Sequence, residues 1–248
     1  MKIGLFQYKI KWSDKKANKA RIIKLLELAD VRGIDWVIFP EMTLSGFGNN
    51  IKNSTLTDDD SLFFANLSKK YHINISYGGV EDRYNKIITL NRNGERISDY
   101  SKINLFSPAK EDKYYKKGKR TTTFDMEGFM VSPFICFDLR FPDLFWKTAR
   151  FSNLYILIAA WPYQRINHWT SLLCARAIEN QAYIIGVNSI GEDDEGNEYK
   201  GYSTCFSPNG DMLIDCQSRE GLSVVDINPD DVLNIRKNFR IRKDLIRD

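Results

Sequence analysis

Trp36-Val-Ile-Phe-Pro-Glu41 is the stretch on which the architecture turns. Its apolar run, Trp36 to Phe39, leaves no polar face, as in a strand covered on both sides, and such strands belong to parallel sheets fed by crossover helices. The run breaks at Pro40 and presents Glu41 at its carboxyl end, where open α/β sheets place their sites. Upstream lie a strand at Lys2 to Tyr8 and a helix from near Ser13 or Asp14, with Ile22, Ile23, Leu25, Leu26 and Ala29 at helical spacing and Gly33 as terminator. The opening is therefore a strand-helix-strand unit.

Downstream, Asp58 to Tyr71 reads as a helix with acids in its first turn and lysines in its last, followed by a strand at Ile73 to Gly78. The middle changes character. Lys86 to Leu90 and Arg96 to Lys102 flank the turn Asn91 to Gly94, and Thr121 to Asp125 and Phe129 to Cys136 flank Met126-Glu-Gly128, so the sheet is mixed. A helix after Pro142, a buried strand Leu154 to Ala160, a helix Asn167 to Asn180 and a strand Tyr183 to Asn188 come next. Short strands close the chain, Ser203 to Phe206 and Met212 to Ile214 around Pro208-Asn-Gly210, then Leu222 to Val225. With no linker, low-complexity tract or repeat, residues 1–248 read as a single α/β domain with a basic tail from about 236.

A chain of 248 residues with 43% hydrophobic content buries a core without disulfides or metals. The N-terminus, interrupted by Gln7 and Lys9, lacks the apolar region and cleavage site of a signal peptide, and the apolar run Leu154 to Trp161 falls far short of the roughly 20 residues of a membrane span. Cys136, Cys174, Cys205 and Cys216 form no C-x-x-C pair and have only His72 and His168 to support them, so no metal site is expected and reduced thiols in the cytoplasm fit best. A net charge of +4 from 36 basic and 32 acidic residues lacks the bias of a nucleic-acid binder. The tail from Arg236 carries six basic residues against two acidic ones, yet without interleaved aromatics it reads as solvated or subunit-contacting.

Phe134-Ile-Cys-Phe-Asp-Leu-Arg-Phe-Pro142 puts a cysteine where an apolar strand stops and a polar turn begins ahead of a helix, a setting that exposes a thiol among backbone N–H groups. A free cysteine is more often a buried structural residue. Neither His72, before an apolar strand, nor His168, at a helix start, has an evident acidic orienter, so a papain-like pair is not in view. A carboxylate serves as base where burial raises its proton affinity, and Glu41 is placed for that. Lys102, ending a strand, would supply positive charge to a tetrahedral oxyanion. Each of the three, taken singly, is better explained as structural or solvated.

Together they match a pattern. Phe39-Pro-Glu-Met-Thr-Leu-Ser-Gly46, Tyr100-Ser-Lys-Ile-Asn-Leu-Phe106 and Ile135-Cys-Phe-Asp-Leu-Arg-Phe-Pro142, in that order, resemble the three signature segments of the nitrilase superfamily of carbon-nitrogen hydrolases. The likeness extends through Ala159-Ala-Trp-Pro162, Ala175-Arg-Ala-Ile-Glu-Asn-Gln-Ala182, Gly186-Val-Asn188 and Ser207-Pro-Asn-Gly210, and is nearest the omega-amidase branch. It implies a four-layer αββα sandwich with two mixed β-sheets, a Glu-Lys-Cys triad at Glu41, Lys102 and Cys136, a second glutamate at Glu111, no metal or organic cofactor, and subunits paired as a homodimer or higher homo-oligomer. Where the family often carries histidine, this chain has Asn104, which bears on hydrogen bonding around the triad rather than on the triad itself. Glu111, beside Lys110, Asp112 and Lys113, is equally readable as a surface charge.

On that resemblance Cys136 attacks an amide, Glu41 shuttles the proton, and Lys102 with the N–H of Phe137 holds the oxyanion through a thioester pathway. Omega-amidases act on small dicarboxylate monoamides such as 2-oxoglutaramate, so a cation should await the far carboxylate. Arg140 is the choice, against an arginine locked to Asp138 or Asp143, and Trp161 is either a pocket wall or a core tryptophan. The alternatives are an N-carbamoyl amino acid or other aliphatic amidase, and a non-catalytic binding or redox-sensing member.

Overall fold

The computed structural model describes residues 1–241. Its first half lays down β1 (Lys2–Gln7), α1 (Lys15–Leu28), β2 (Trp36–Ile38), the short α2 (Ile51–Ser54), α3 (Asp58–Tyr71), β3 (Asn74–Glu81), β4 (Tyr84–Leu90), β5 (Arg96–Ser101) and the one-turn α4 (Glu111–Tyr114). The second half gives β6 (Phe124–Met126), β7 (Phe129–Ile135), α5 (Pro142–Ala149), β8 (Leu154–Ala159), α6 (Ile166–Asn180), β9 (Tyr183–Asn188), β10 (Ile190–Glu192), β11 (Glu198–Lys200), β12 (Thr204–Phe206), β13 (Met212–Asp215), β14 (Gly221–Asp226) and α7 (Pro229–Asn238).

Two six-stranded sheets result, ordered β14-β1-β2-β3-β4-β5 and β13-β12-β9-β8-β7-β6. Each has a parallel centre, β1-β2-β3 in one and β7-β8-β9 in the other, with antiparallel strands outside it. The period-two alternation of β1 and β2 sorts their side chains between two cores. Ile3, Leu5, Trp36 and Ile38 point inward and pack with the inner face of the second sheet, which carries Ile156, Ile158 and Ile185. Phe6, Val37 and Phe39 point outward, under Ile22 and Leu26 of α1 and Phe64 and Leu67 of α3. On the far side α5 and α6 cover the second sheet with Phe145, Trp169 and Leu173. This is the expected αββα sandwich.

Local chemistry sets the ends of these helices. Asp14 caps α1 by accepting the Ala17 N–H at 2.9 Å, and Thr57 with Asp60 forms a reciprocal capping box on α3. Gly33 does not terminate α1, as the spacing suggested. The chain leaves the helix at Ala29, extended at φ −86° and ψ 139°, and Gly33 at φ +74° turns the connection into β2. The segment Glu192 to Lys200, featureless by composition, belongs to the hairpin β10-β11. Asp193 ties its turn by accepting from the N–H groups of Glu195 and Asn197, the Asn197 amide and the Tyr199 hydroxyl. The start of the expected basic tail is the end of α7, where Arg236 donates to the carbonyls of Ser152, Asn180 and Gln181. Residues 242–248 lie outside the described part of the chain.

Candidate active site

Glu41 is delivered by β2 and held by the turn that follows. Thr43 Oγ1 donates to the Pro40 carbonyl at 2.7 Å and accepts the Gly78 N–H at 2.9 Å, which lays residues 41–43 across β3. Gly78 permits this approach, since a Cβ there would lie 2.5 Å from Met42 N and 2.9 Å from Glu41 Cα. Lys102 follows β5. Gly118 passes over it with its N–H on the Lys102 carbonyl at 2.8 Å, so close that a Cβ would fall 2.1 Å from the Ser101 oxygen. Cys136 follows β7 at φ +46°, a left-handed bend that ends the strand and opens the 3₁₀ turn Cys136–Arg140.

These elements converge on a fully buried ionic cluster. Lys102 Nζ donates to Glu41 Oε1 at 2.9 Å and to Glu111 at 2.9 and 3.1 Å, with all three side chains shut off from solvent. Glu111 therefore belongs to the cluster and is not a surface charge. It also accepts the Phe106 N–H at 2.6 Å, and Glu41 Oε2 accepts the Ala160 N–H at 2.9 Å from the opposite sheet. Burial alone would pull Lys102 down, but Glu111 and Glu41 raise it well above the usual lysine range, so it stays a cation. The Cys136 thiol is pushed well up, first by burial and then by the Glu41 charge, against the pull of Lys102. The resting sulfur is thus a thiol that needs a base; its S–H faces the Ala160 carbonyl at 3.9 Å, and the carboxylate whose charge weighs most on it is Glu41.

Beneath the nucleophile turn lies Asp138, fully buried and accepting from Tyr100 Oη at 2.8 Å, Asn104 N at 2.8 Å, Asn104 Nδ2 at 3.2 Å and Ile135 N at 3.2 Å. Asn104, the departure noted in sequence, thus joins the Lys102 loop to the Cys136 turn. Burial pushes Asp138 up to about 6 despite these donors.

Cys136, Lys102, Phe137, Arg140 and Trp161 all line one cavity of about 460 Å³. Neither aspartate claims Arg140: Asp138 is satisfied from below, and Asp143 pairs with Lys147. Its guanidinium lies 4.8 Å from the Trp161 ring centroid and bonds His168 Nδ1 at 3.2 Å. Arg165, which sequence reasoning missed, lines the same wall over the Phe106 ring. Desolvation and then the charge of Arg165 lower Arg140. Among the described residues neither arginine has a carboxylate within ion-pairing distance. Trp161 is both wall and core: only 3% exposed, it packs on Trp169 and donates Nε1–H to the Arg165 carbonyl at 2.8 Å. The β10-β11 hairpin leans over the mouth, its Tyr199 stacked on Trp12 at 5.0 Å, with Asp193, Asp194 and Glu195 at the rim.

Asn85 is a second residue the sequence reading missed, although the hairpin register that pairs Lys86 with Ser101 brings it beside Lys102. Among the described residues no group of histidine, cysteine and acidic side chains could hold a metal ion, and no helix is long and apolar enough to cross a membrane.

The carbon-nitrogen hydrolase family model matches residues 2–237. The chain belongs to the carbon-nitrogen hydrolase family. An Escherichia coli K12 omega-amidase, YafV, is 32% identical over 90% of this chain and 88% of its own length. A 2-oxoglutaramate amidase of Bacillus subtilis is 28% identical over 99% and 98%. Among solved structures, XC1258 of Xanthomonas campestris, a CN-hydrolase superfamily protein with an arsenic adduct in its active site, superposes with a TM-score of 0.91 at 26% identity, covering 98% of this chain and 96% of that one. This carbon-nitrogen hydrolase is accordingly an enzyme of hydrolytic C–N chemistry, in the nitrilase superfamily fold that its sandwich displays.

Proposed function

We propose that the protein is an omega-amidase, hydrolysing a small 2-oxo dicarboxylate monoamide such as 2-oxoglutaramate to carboxylate and ammonia. The observation that carries this reading is Arg140 and Arg165 on the wall of the Cys136 cavity with no carboxylate of the described chain within ion-pairing distance, the acids of the lining, Asp193, Asp194 and Glu195, being on the β10-β11 turn. Two guanidinium groups so placed suit a substrate bearing a carboxylate remote from its amide. The likeness to omega-amidase YafV and to the 2-oxoglutaramate amidase adds support.

In this mechanism Glu41 takes the Cys136 proton as sulfur bonds to the amide carbon. The carbonyl electrons move to oxygen, where Lys102 and the Phe137 N–H meet the developing charge. Collapse breaks the C–N bond, and Glu41 returns the proton to the departing nitrogen, leaving a thioester. Water, deprotonated by Glu41, attacks the thioester carbon, and the C–S bond breaks as the thiol regains its proton. Glu111 stays with Lys102 throughout and keeps it charged and aimed.

An ammonia-release assay over small amides tests the reading, with Cys136→Ala as control. The expected result is preferential turnover of 2-oxoglutaramate, lost in Cys136→Ala by a factor on the order of 10⁴ or more, and an acyl adduct on Cys136 in quenched samples. Good turnover of N-carbamoyl amino acids with none of 2-oxoglutaramate would overturn the substrate assignment. Absence of both turnover and adduct would overturn catalysis by this cysteine.

A further inference from the structure

The buried cluster has a problem of charge that the triad and Glu111 leave unsolved. Two carboxylates share one ammonium in a pocket without solvent, and the second negative charge repels the first. Both must nonetheless stay aimed at Lys102 while Glu41 also faces the thiol. Besides Lys102, one side chain meets both of them. Asn85 Nδ2 donates one hydrogen to Glu41 Oε1 at 2.8 Å and the other to Glu111 Oε1 at 3.0 Å. A primary amide nitrogen holds two donors at a fixed angle, which is what bridging two separate acceptors requires.

The same residue fixes the lysine from behind. Its backbone carbonyl accepts the Lys102 N–H at 2.8 Å, one step past the last register pair of β4 and β5, Lys86 with Ser101. Main chain and side chain of Asn85 thus bracket all three members of the cluster. The amide orientation is forced, because the opposite flip would set its oxygen against two carboxylates. In the forced orientation Asn85 Oδ1 is buried and accepts from no described residue. A buried acceptor without a donor destabilises a fold, so the position serves the donors and not the packing of strand β4.

We propose that Asn85 is the positioning residue of the reaction, the group that holds Glu41 and Glu111 together on Lys102 so that Glu41 stays aimed as the base for the Cys136 thiol. It does not line the cavity, and it acts on the reaction through the two glutamates. The inference rests on the catalytic reading of Glu41, Lys102 and Cys136, but not on the identity of the amide.

Its test is the pH profile of Asn85→Leu, a near-isosteric change that removes both donors. A carboxylate that loses a donor holds its proton more readily, so the acid limb of kcat/KM should move up by about one pH unit. At the wild-type optimum kcat should fall about 10- to 100-fold, as when other orienting partners are lost, with KM changed less than about twofold because the cavity is untouched. Iodoacetamide labelling of Cys136 should show the same shift, independently of any acyl group. Asn85→Ser, whose hydroxyl can serve one carboxylate, should fall between the two proteins in both readouts, and it carries the test if the leucine variant does not fold. A variant that folds with unchanged kcat and acid limb would overturn the proposal. So would a rise in KM at constant kcat, which would make Asn85 a substrate contact. Should Cys136→Ala retain activity, the catalytic reading fails instead, and the two failures are distinguishable.

Discussion

One cavity holds two kinds of cation, and the contrast separates machinery from recognition. Lys102 is unexposed, ringed by Glu41 and Glu111, and permanently neutralised by them. Arg140 and Arg165 stand on the adjoining wall with aromatic faces and a histidine for company. A cation fully satisfied by its own protein can only assist chemistry brought to it. One that the protein leaves unneutralised on a cavity wall has its counter-charge supplied by what enters. A third cluster inverts the first: Asp60, 3% exposed, sits between Lys15 at 2.6 Å and Lys19 at 2.7 Å, pinning α1 to the start of α3, and none of the three lines the cavity.

The sharpest way to break this comparison is Lys102→Met. It strands two buried carboxylates, so unfolding in urea should show a loss of about 3–5 kcal/mol, and kcat should drop on the order of 10³-fold. A variant with wild-type stability would show that the cluster is not held together by its lysine. Arg165→Gln and Arg140→Gln should behave in the opposite manner. Stability should stay within about 0.5 kcal/mol, while kcat/KM for an amide bearing a remote carboxylate falls about 10- to 100-fold. A neutral aliphatic amide should be hydrolysed as before, and equal losses on both substrates would erase the distinction between wall and machinery.

The smallest effect belongs to Asp60 and to stability alone. Burial works against its charge, but the bonds from Lys15 and Lys19 prevail and bring it from 3.8 down to about 2. Because the folded value lies below the unfolded one, the stabilisation is complete above pH 3.8 and is lost as pH falls towards 2. Its size is about 2 kcal/mol. Asp60→Asn should therefore flatten the acid side of the stability curve by that amount and leave kcat unchanged, a signature neither cavity cluster would give.

The sequence was most legible where pattern and chemistry coincide. The runs Trp36 to Phe39 and Leu154 to Ala159 are apolar because both faces are covered, and Asp58 to Tyr71 carries its own capping box and charge gradient. Glu41, Lys102, Cys136 and Glu111 were picked out through ordered segments, since each alone looks like an ordinary residue and only the fold brings the two glutamates onto Lys102 and sets Cys136 on the same cavity. Arg165 gave no signal, because its lack of a counter-charge is a property of space and not of sequence. Asn85 was hidden differently: its place beside Lys102 follows from hairpin register, but its two acceptors come from a strand end and a loop that no local pattern connects. The β10-β11 hairpin was missed because its strands are only three residues each, although its turn joins Gly196, at φ +79°, to the Asp193 that ties it.

Glu41 and Lys102 leave the first sheet, Cys136 leaves the second, and the bonds from Ala160 N to Glu41 and from Tyr100 and Asn104 to Asp138 cross between them. Neither sheet owns the site. A chain whose sheets have formed but not yet docked would carry nearly all its secondary structure and no catalysis. In refolding, the return of turnover should therefore trail the far-ultraviolet signal and mark the moment the two halves meet, making the enzyme its own clock for the last step of assembly.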